Sequence, residues 1–254
     1  MRKISLNLDK KDIGKGNLIL VNKNHPIPAG TERQLKVIRG ESPSIELEIR
    51  AASMLNNLID VVKGKEDIIP VSGYRSLEEQ EEIYRDSLKE NGFDFTRKYV
   101  ALPNHSEHQT GLAIDLAMKD ESIDFICPNF PYTGVCGKFR EEASKYGFIE
   151  RYQEGKEKIT GIAHEPWHFR YVGYPHSKIM MEQSYSLEEY HDFLKGYSYG
   201  EKHLYIKHGK ENLEVFYLPI KSGITSIDIL EDTIHQVSGN NMDGFIITLW
   251  KKGA

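Results

Sequence analysis

Apolar residues recur at helical spacing in the first quarter of the chain. Six of them lie on one helical face between Ala51 and Val62, and Gly64 follows as a stop signal. Ser42-Pro43 has the composition of a helix start, because serine is a good cap and proline suits the first helical position. The pattern therefore predicts a core helix that opens at Ser42-Pro43 and ends after Val62.

Shorter apolar runs predict strands at four places. The run over residues 167–172 alternates, with aromatic residues at every second position and His168 among the residues between them. This alternation is typical of a half-buried strand. The runs over residues 17–22, 68–72 and 148–152 are bounded by turn-forming or polar residues and are predicted as further strands.

Two more helices are indicated between these strands. Ser76-Leu-Glu-Glu79 is a capping box, which predicts a helix that runs towards Asn91-Gly92. Residues 138–146, closed by Gly147, form a shorter helical pattern. Arg75 then lies in the turn between a strand and a helix, where its side chain can reach a cleft.

The last quarter of the chain has a different pattern. Ser186-Leu-Glu-Glu189 is another capping box, and its helix to about Lys195 would close the first domain at Gly196. Beyond it, short apolar runs alternate with glycine-rich turns and predict a small β-rich extension. We expect one domain over residues 1–198 and the extension over residues 199–254.

Composition and charge narrow the class of protein. A net charge of −5 argues against a nucleic-acid-binding protein, which usually carries a basic face. Two cysteines in 254 residues do not make a disulfide framework. The basic N-terminus is not followed by an apolar run, and no stretch approaches the ~20 apolar residues of a membrane span. We therefore expect a cytoplasmic protein without a signal peptide or a membrane partner.

Candidate chemistry begins in residues 106–115, where His108 and Asp115 are seven positions apart. Gly111 and a short apolar run separate them, which is typical of a loop that enters a strand. One imidazole and one carboxylate make two of the three protein ligands of a catalytic zinc site. The segment over residues 164–168, His-Glu-Pro-Trp-His, can supply the third.

That segment also matches the H-E-x-x-H pattern of helical zinc proteases. The pattern requires a helix, and Pro166 would break a helix interior. Along a strand, His164 and His168 would lie on the order of 13 Å apart at ~3.3 Å per residue, so they could not share a metal. We therefore expect His108, Asp115 and His168 as ligands and His164 as a neighbour.

Two further residues complete the predicted chemistry. Zinc with three protein ligands keeps a position for water and lowers the pKa of that water to ~7. Glu165 is placed to take the proton and pass it to a leaving amine. Arg75 is the candidate cation for the negative charge that develops on the substrate.

These residues carry a family resemblance. Ser106-x-His108-x-x-Gly111-x-Ala113-x-Asp115, followed by Glu165-x-Trp167-His168, resembles the paired signature of zinc D,D-peptidases. That family includes the VanX dipeptidases, the VanY carboxypeptidases and the bifunctional VanXY enzymes of glycopeptide-resistant bacteria. Residues 72–76 with Glu79-Gln80 resemble the segment that supplies their transition-state arginine. The resemblance covers roughly residues 17–195.

The resemblance implies an α+β fold, with a small antiparallel sheet flanked by helices and a zinc-binding cleft. It also implies that His108, Asp115 and His168 bind zinc, that Glu165 is the base and that Arg75 polarises the scissile carbonyl. Ser106 is then expected to contact the substrate carboxylate, and Gln80 to line the pocket. Residues 127–137 are rich in Pro, Gly, Tyr and Phe, and this composition predicts a loop or a lid.

The activity implied is that of a bifunctional enzyme, a D,D-dipeptidase and D,D-carboxypeptidase that acts on D-Ala-D-Ala and on pentapeptide precursors ending in it. Three alternatives stay open: a strict dipeptidase, a helical zinc endopeptidase and a zinc-stabilised binding protein. Expected partners are small peptides that end in D-Ala-D-Ala, without nucleic acid or membrane, and a homodimer is also open.

Overall fold

A computed structural model describes residues 2–28, 34–39, 44–209, 211–220 and 224–252. The helices are α1 (Ile49–Val61), α2 (Leu77–Tyr99), α3 (Gly134–Ala143), α4 (Glu157–Thr160), α5 (His176–Gln183) and α6 (Leu187–Lys195). The strands are β1 (Lys3–Asp9), β2 (Leu35–Arg39), β3 (Ile45–Glu48), β4 (Ile68–Ser72), β5 (Ala113–Met118), β6 (Phe148–Glu150), β7 (His168–Tyr171), β8 (Leu204–His208), β9 (Glu211–Pro219), β10 (Ile224–Leu230), β11 (Ile234–Gly239) and β12 (Gly244–Lys252). The predicted α+β class is confirmed.

The chain divides into two units. The larger one, Val21–Leu187, contains a four-stranded antiparallel sheet in the order β4-β5-β7-β6 and a separate pair, β2-β3. Helix α2 enters directly from β4, and its capping box is formed as predicted. The Ser76 hydroxyl accepts the Glu79 N–H at 3.1 Å, and the Glu79 carboxylate accepts the Ser76 N–H at 2.6 Å.

Helix α2 continues past its predicted end. Gly92 has a non-helical backbone, with φ +78° and ψ 173°, and the chain resumes a helix after it. The two halves are held together by Thr96, whose hydroxyl donates to the Gly92 carbonyl at 2.9 Å and lies 2.8 Å from the Ser87 hydroxyl. The glycine therefore interrupts the helix without ending it.

Helix α1 begins later than the sequence predicts. Residues 45–48 form strand β3, which pairs with β2, so the helix starts at Ile49. Glu48 caps it, because its carboxylate accepts the N–H groups of Arg50 and Ala51 at 2.9 and 3.0 Å. The predicted start at Ser42-Pro43 has its cap outside the described residues, and over residues 45–48 the helix prediction is wrong.

Two strand predictions need correction. Residues 17–22 are irregular and, except for Asn22, buried, because their backbone bonds go to loop and side-chain partners, such as Leu18 N–H to the Ser238 hydroxyl at 2.9 Å. The strand predicted over residues 167–172 exists as β7, but it is buried on both faces. It lies between β5 and β6, so both of its hydrogen-bonding edges are paired, and the side chains on both of its faces are buried.

The smaller unit comprises Met1–Leu20 and Glu188–Ala254. Its described part has a four-stranded antiparallel sheet, β11-β12-β9-β8, and a two-stranded sheet in which β1 pairs with β10. Side chains from both sheets form one apolar cluster of Leu8, Phe216, Leu218, Ile227, Ile229, Phe245, Ile247 and Leu249. The predicted β-rich character of residues 199–254 is confirmed, while the division at residue 198 stays a prediction.

Two composition-based expectations can be compared with the structure. Cys127 and Cys136 are both free thiols, as the absence of a disulfide framework predicts. Among the helices that the structure describes, none combines the length and apolar character that a membrane-spanning segment requires.

Candidate active site

His108 lies in a 3-10 turn over Glu107–Thr110, immediately before β5. Gly111 closes this turn at φ +70°, and a Cβ there would lie 3.0 Å from the Leu35 side chain and 3.1 Å from the Glu48 nitrogen. The positive φ therefore favours glycine, and the neighbouring atoms leave little room for a Cβ. The Nδ1 atom of His108 donates to the Gly73 carbonyl at 2.7 Å, which leaves Nε2 as the unprotonated nitrogen.

Asp115 and His168 lie directly opposite each other on β5 and β7. The Asp115 carboxylate contacts both histidines, at 3.1 Å from His108 Nε2 and 2.9 Å from His168 Nδ1. All three side chains are buried, and one potential ligand atom from each lies within 4.8 Å of the others. Two imidazole nitrogens and a carboxylate that converge in this way can hold a divalent metal ion.

Glu165 lies beside this cluster, with one carboxylate oxygen 3.9 Å from His168 Nδ1. Its backbone N–H donates to the Tyr152 carbonyl at 3.0 Å, and its own carbonyl accepts the His168 N–H at 3.2 Å. Burial raises the pKa of Glu165 to about 8, and His168 and Arg75 act in the opposite direction. A carboxyl group with such a pKa suits proton transfer near neutral pH.

Arg75 reaches the same cluster from the turn between β4 and α2. Its guanidinium donates to the Asp115 carboxylate at 3.2 Å, to the Ser72 hydroxyl at 3.0 Å and to the Gln80 amide oxygen at 3.2 Å. Its backbone N–H also donates to the His108 carbonyl at 3.3 Å. The cation is thus held in one orientation over the site.

Gln80 was predicted to line the pocket, and the structure places it elsewhere. The residue is fully buried, and it is not among the residues that line the cavity. Its amide oxygen accepts from Arg75, and its amide nitrogen donates to the Ala101 carbonyl at 2.8 Å. Because both ends of the amide are engaged, Gln80 supports Arg75 and does not face the cavity.

Glu107 is a buried residue that the sequence pattern did not single out. One carboxylate oxygen accepts from Arg151 Nε and Arg170 Nη1, both at 2.8 Å, and the other lies 3.4 Å from His168 Nε2. Burial alone would raise the pKa of Glu107, but Arg170 and Arg151 outweigh it and hold the pKa below its usual range. The alternating pattern of residues 167–172 places Arg170 on the same strand face as His168. A buried cation at that position was the signal in the sequence that a carboxylate such as Glu107 lies nearby.

His164 is separate from the metal cluster. Its Nε2 atom lies 2.9 Å from the Tyr132 hydroxyl and 3.3 Å from the Glu150 carboxylate. Residues 164–167 have no helical structure, as Pro166 predicts. The helical H-E-x-x-H geometry is therefore absent from this described segment.

The cluster opens into a cavity of about 570 Å³. Ser106 lines it together with the metal cluster, Glu165 and Arg75. One wall is the face of α2 that carries Glu79, Glu82, Asp86 and Glu90. Phe125 and Ile126 are among the lining residues, whereas residues 127–137 are not. Residues 127–133 form the loop that the sequence predicts, and α3 begins at residue 134. A lid role for this segment stays a prediction.

The chain is similar to peptidases of known family. The VanY family profile, described as D-alanyl-D-alanine carboxypeptidase, matches residues 44–174. The bifunctional D-Ala-D-Ala dipeptidase and D-Ala-D-Ala carboxypeptidase VanXYC of Enterococcus gallinarum is 45% identical over 179 residues. The match covers 70% of this chain and 94% of that relative.

Two solved structures are also similar. The vancomycin-resistance D,D-dipeptidase VanXYg, crystallised with a D-Ala-D-Ala phosphinate analogue, matches with a TM-score of 0.96 at 50% identity, over 99% of this chain and 100% of that chain. A mutant of the vancomycin-resistance D,D-pentapeptidase VanY from a VanB-type cassette, in complex with Zn(II), matches with a TM-score of 0.56 at 32% identity. That match covers 68% of this chain and 98% of the other.

Proposed function

The chain belongs to the VanY family of D-alanyl-D-alanine carboxypeptidases, and we propose that zinc is its metal, held by His108, Asp115 and His168. It is a bifunctional peptidase that hydrolyses the dipeptide D-Ala-D-Ala and removes the terminal D-Ala from pentapeptide precursors. Both reactions remove the terminus that glycopeptide antibiotics bind, so the enzyme confers vancomycin resistance.

One observation carries this assignment. A buried His-Asp-His cluster, a buried free carboxylate and a fixed arginine line a single cavity. This combination separates the enzyme from a zinc-stabilised binding protein, because a binding site requires neither a base nor a cation for developing charge. The donor set of two histidines and one carboxylate is also one that catalytic zinc accepts. The similar VanY structure in complex with Zn(II) supports zinc as the ion.

The side chains around the cluster have separate roles in the proposed hydrolysis. Zinc, when bound, would act as a Lewis acid and favour deprotonation of water near neutral pH. The Glu165 carboxylate takes the proton from the attacking water and transfers it to the nitrogen of the leaving D-Ala. Arg75 donates hydrogen bonds to the scissile carbonyl oxygen as negative charge develops there.

Two other predicted site residues have supporting roles. Ser106 is buried and lines the cavity. Its proposed role is to contact the terminal carboxylate of the substrate. Gln80 positions Arg75 through the hydrogen bond at 3.2 Å. These roles rest on position in the cavity and on the family resemblance of the motifs.

The proposed location and partners are those that the sequence leads us to expect. A cytoplasmic enzyme would meet both free D-Ala-D-Ala and the soluble nucleotide-linked pentapeptide precursor. The acidic composition remains the argument against a nucleic-acid partner, and a homodimer stays a prediction.

Substrate assays test the activity directly. The purified protein, supplied with zinc, is incubated separately with D-Ala-D-Ala, with the UDP-linked pentapeptide and with L-Ala-L-Ala, and free alanine is measured. We expect D-Ala from the first two and no hydrolysis of the third. Release from the dipeptide alone would contradict the carboxypeptidase activity. Cleavage of L-Ala-L-Ala without release from either D-substrate would contradict the function as a whole.

Replacement of Arg75 by alanine is expected to lower kcat by about 10²- to 10³-fold, with a smaller rise in KM. The reason is that the charge facing the guanidinium exists mainly in the transition state. Steady-state kinetics, with zinc content measured in parallel, check this expectation. Gln80→Ala is the matched variant, because it removes only one of the bonds that orient Arg75, and its kcat should fall less. A near-normal kcat in Arg75→Ala would contradict the assigned role.

A further inference from the structure

The carboxylate of Glu107 lies behind His168, on the side of the ring away from Asp115. We propose that Glu107 is a positioning residue that fixes the tautomer of His168, and that Arg151 and Arg170 hold Glu107 in place for this purpose. The inference rests on the proposed function, since it takes His168 as a metal ligand.

The two histidines of the cluster use opposite ring nitrogens. His108 donates from Nδ1 to the Gly73 carbonyl and turns Nε2 towards Asp115. His168 turns Nδ1 towards Asp115 at 2.9 Å and Nε2 towards Glu107 at 3.4 Å. A metal ligand must present an unprotonated nitrogen, so the two rings require opposite tautomers. Each tautomer is set by its own acceptor.

The two acceptors differ in charge. Gly73 offers a neutral carbonyl to His108, whereas Glu107 offers an ionised carboxylate to His168. A carboxylate behind a metal-bound histidine fixes the ring orientation and raises the basicity of the ligating nitrogen. We therefore expect His168 to depend more strongly on its supporting residue than His108 does.

The arginines determine which carboxylate oxygen of Glu107 is left to accept a hydrogen bond from His168. Arg151 and Arg170 both donate to the same oxygen, which leaves the other oxygen for His168. Both arginine side chains and the Glu107 side chain are fully buried. A carboxylate in this setting stays ionised only because the cations accompany it.

Strand pairing brings these groups to one place. Arg170 is two residues after His168 on β7, so its side chain lies on the same face of the sheet. Arg151 comes directly after strand β6, and its backbone N–H donates to the His168 carbonyl at 3.2 Å. The Tyr152 ring contacts the His168 ring, with centroids 4.9 Å apart. The ring is thus supported both at its edge and on its face.

The test variant is Glu107→Gln, which keeps the shape and removes the charge. Both arginines require an acceptor, so the amide oxygen should turn to them and the amide nitrogen to His168. That nitrogen would donate to Nε2 and shift the ring proton to Nδ1, in competition with zinc. We expect the zinc dissociation constant, measured by chelator competition, to rise about 10- to 100-fold.

The smaller unit offers a matched control in Glu214→Gln. Glu214 is also a buried carboxylate that pairs with a histidine and a cation, namely His203 at 2.5 Å and Lys251. Both variants should lower the melting temperature, because each removes one partner of a buried charge network. Only Glu107→Gln should weaken zinc binding and change the visible absorption of the Co(II)-substituted protein.

The wild-type protein gives a measurement that does not depend on the folding of a variant. Long-range ¹H–¹⁵N spectra of its histidine rings, with zinc bound, should show the proton on Nε2 of His168 and on Nδ1 of His108. The charge-balanced variant Glu107→Gln/Arg151→Met provides the zinc measurement if the single variant does not fold.

The outcomes separate this inference from the proposed function. Unchanged zinc affinity and an unchanged Co(II) spectrum in Glu107→Gln, or a proton on Nδ1 of His168 in the wild type, would overturn the role of Glu107 alone. If the wild-type protein does not bind zinc, or if His168→Ala binds it equally well, the proposed function fails and the inference fails with it.

Discussion

Replacement of Glu165 by glutamine is expected to lower kcat by roughly 10²- to 10⁴-fold while zinc binding and folding are retained. The carboxylate lies 3.9 Å from His168 Nδ1 but outside the set of three converging ligand residues. Its removal therefore takes away the proton acceptor and leaves the metal ligands in place. Steady-state kinetics on D-Ala-D-Ala and a zinc determination on the same preparation check both parts.

Glu154→Gln is the matched control for this experiment. Glu154 is exposed, and it is not among the residues that line the cavity, so its variant should keep the wild-type kcat. A Glu165→Gln enzyme that turns over at a normal rate would show that another group moves the proton. Loss of zinc from the same variant would instead indicate that Glu165 is a ligand.

Replacement of His168 by alanine is expected to abolish stoichiometric zinc binding and reduce turnover to background. A site with only His108 and Asp115 keeps two ligands, and catalytic zinc normally has three from the protein. Replacement of His164 should retain the zinc, because this side chain contacts Tyr132 and Glu150 and not the cluster. Metal analysis after dialysis, followed by activity with and without added zinc, measures both variants.

Variants of His164, His168 and Asp115 together test the ligand assignment. Zinc lost from His164→Ala and kept by Asp115→Ala would support the helical zinc-protease pattern and refute the proposed set of three ligands. Added zinc that restores full activity to His168→Ala would show that His168 is not a required ligand.

The sequence predicts most of the cluster because its determinants are local. His108, Gly111 and Asp115 lie within ten residues, and one turn followed by one strand brings them together. The choice of His168 over His164 also depended on a neighbour, Pro166, which disfavours a helix. The structure agrees with each of these steps, and the chemical roles of the residues stay predictions until the variants are made.

The parts that the sequence did not predict depend on distant partners. Glu107 is one residue from His108, yet its position depends on two distant arginines, Arg151 directly after β6 and Arg170 on β7. Residues 45–48 were predicted as helix and form β3, because pairing with β2 outweighs the local signal at Ser42-Pro43. Gln80 was expected to line the pocket because its segment resembles that of the family, and its hydrogen bond to the Ala101 carbonyl turns it away.

The pairing of β1 with β10 affects how the chain folds during its synthesis. Asp9 pairs with Ile224, so roughly 215 residues are added between the two strands, which takes on the order of 10 to 45 s at about 5–20 residues per second. Throughout that interval the nascent strand carries Ile4, Leu6 and Leu8 without its partner, and unpaired apolar strands are prone to wrong pairing. Strand β1 is therefore made long before its native partner, and a chain interrupted before residue 224 releases this strand unpaired.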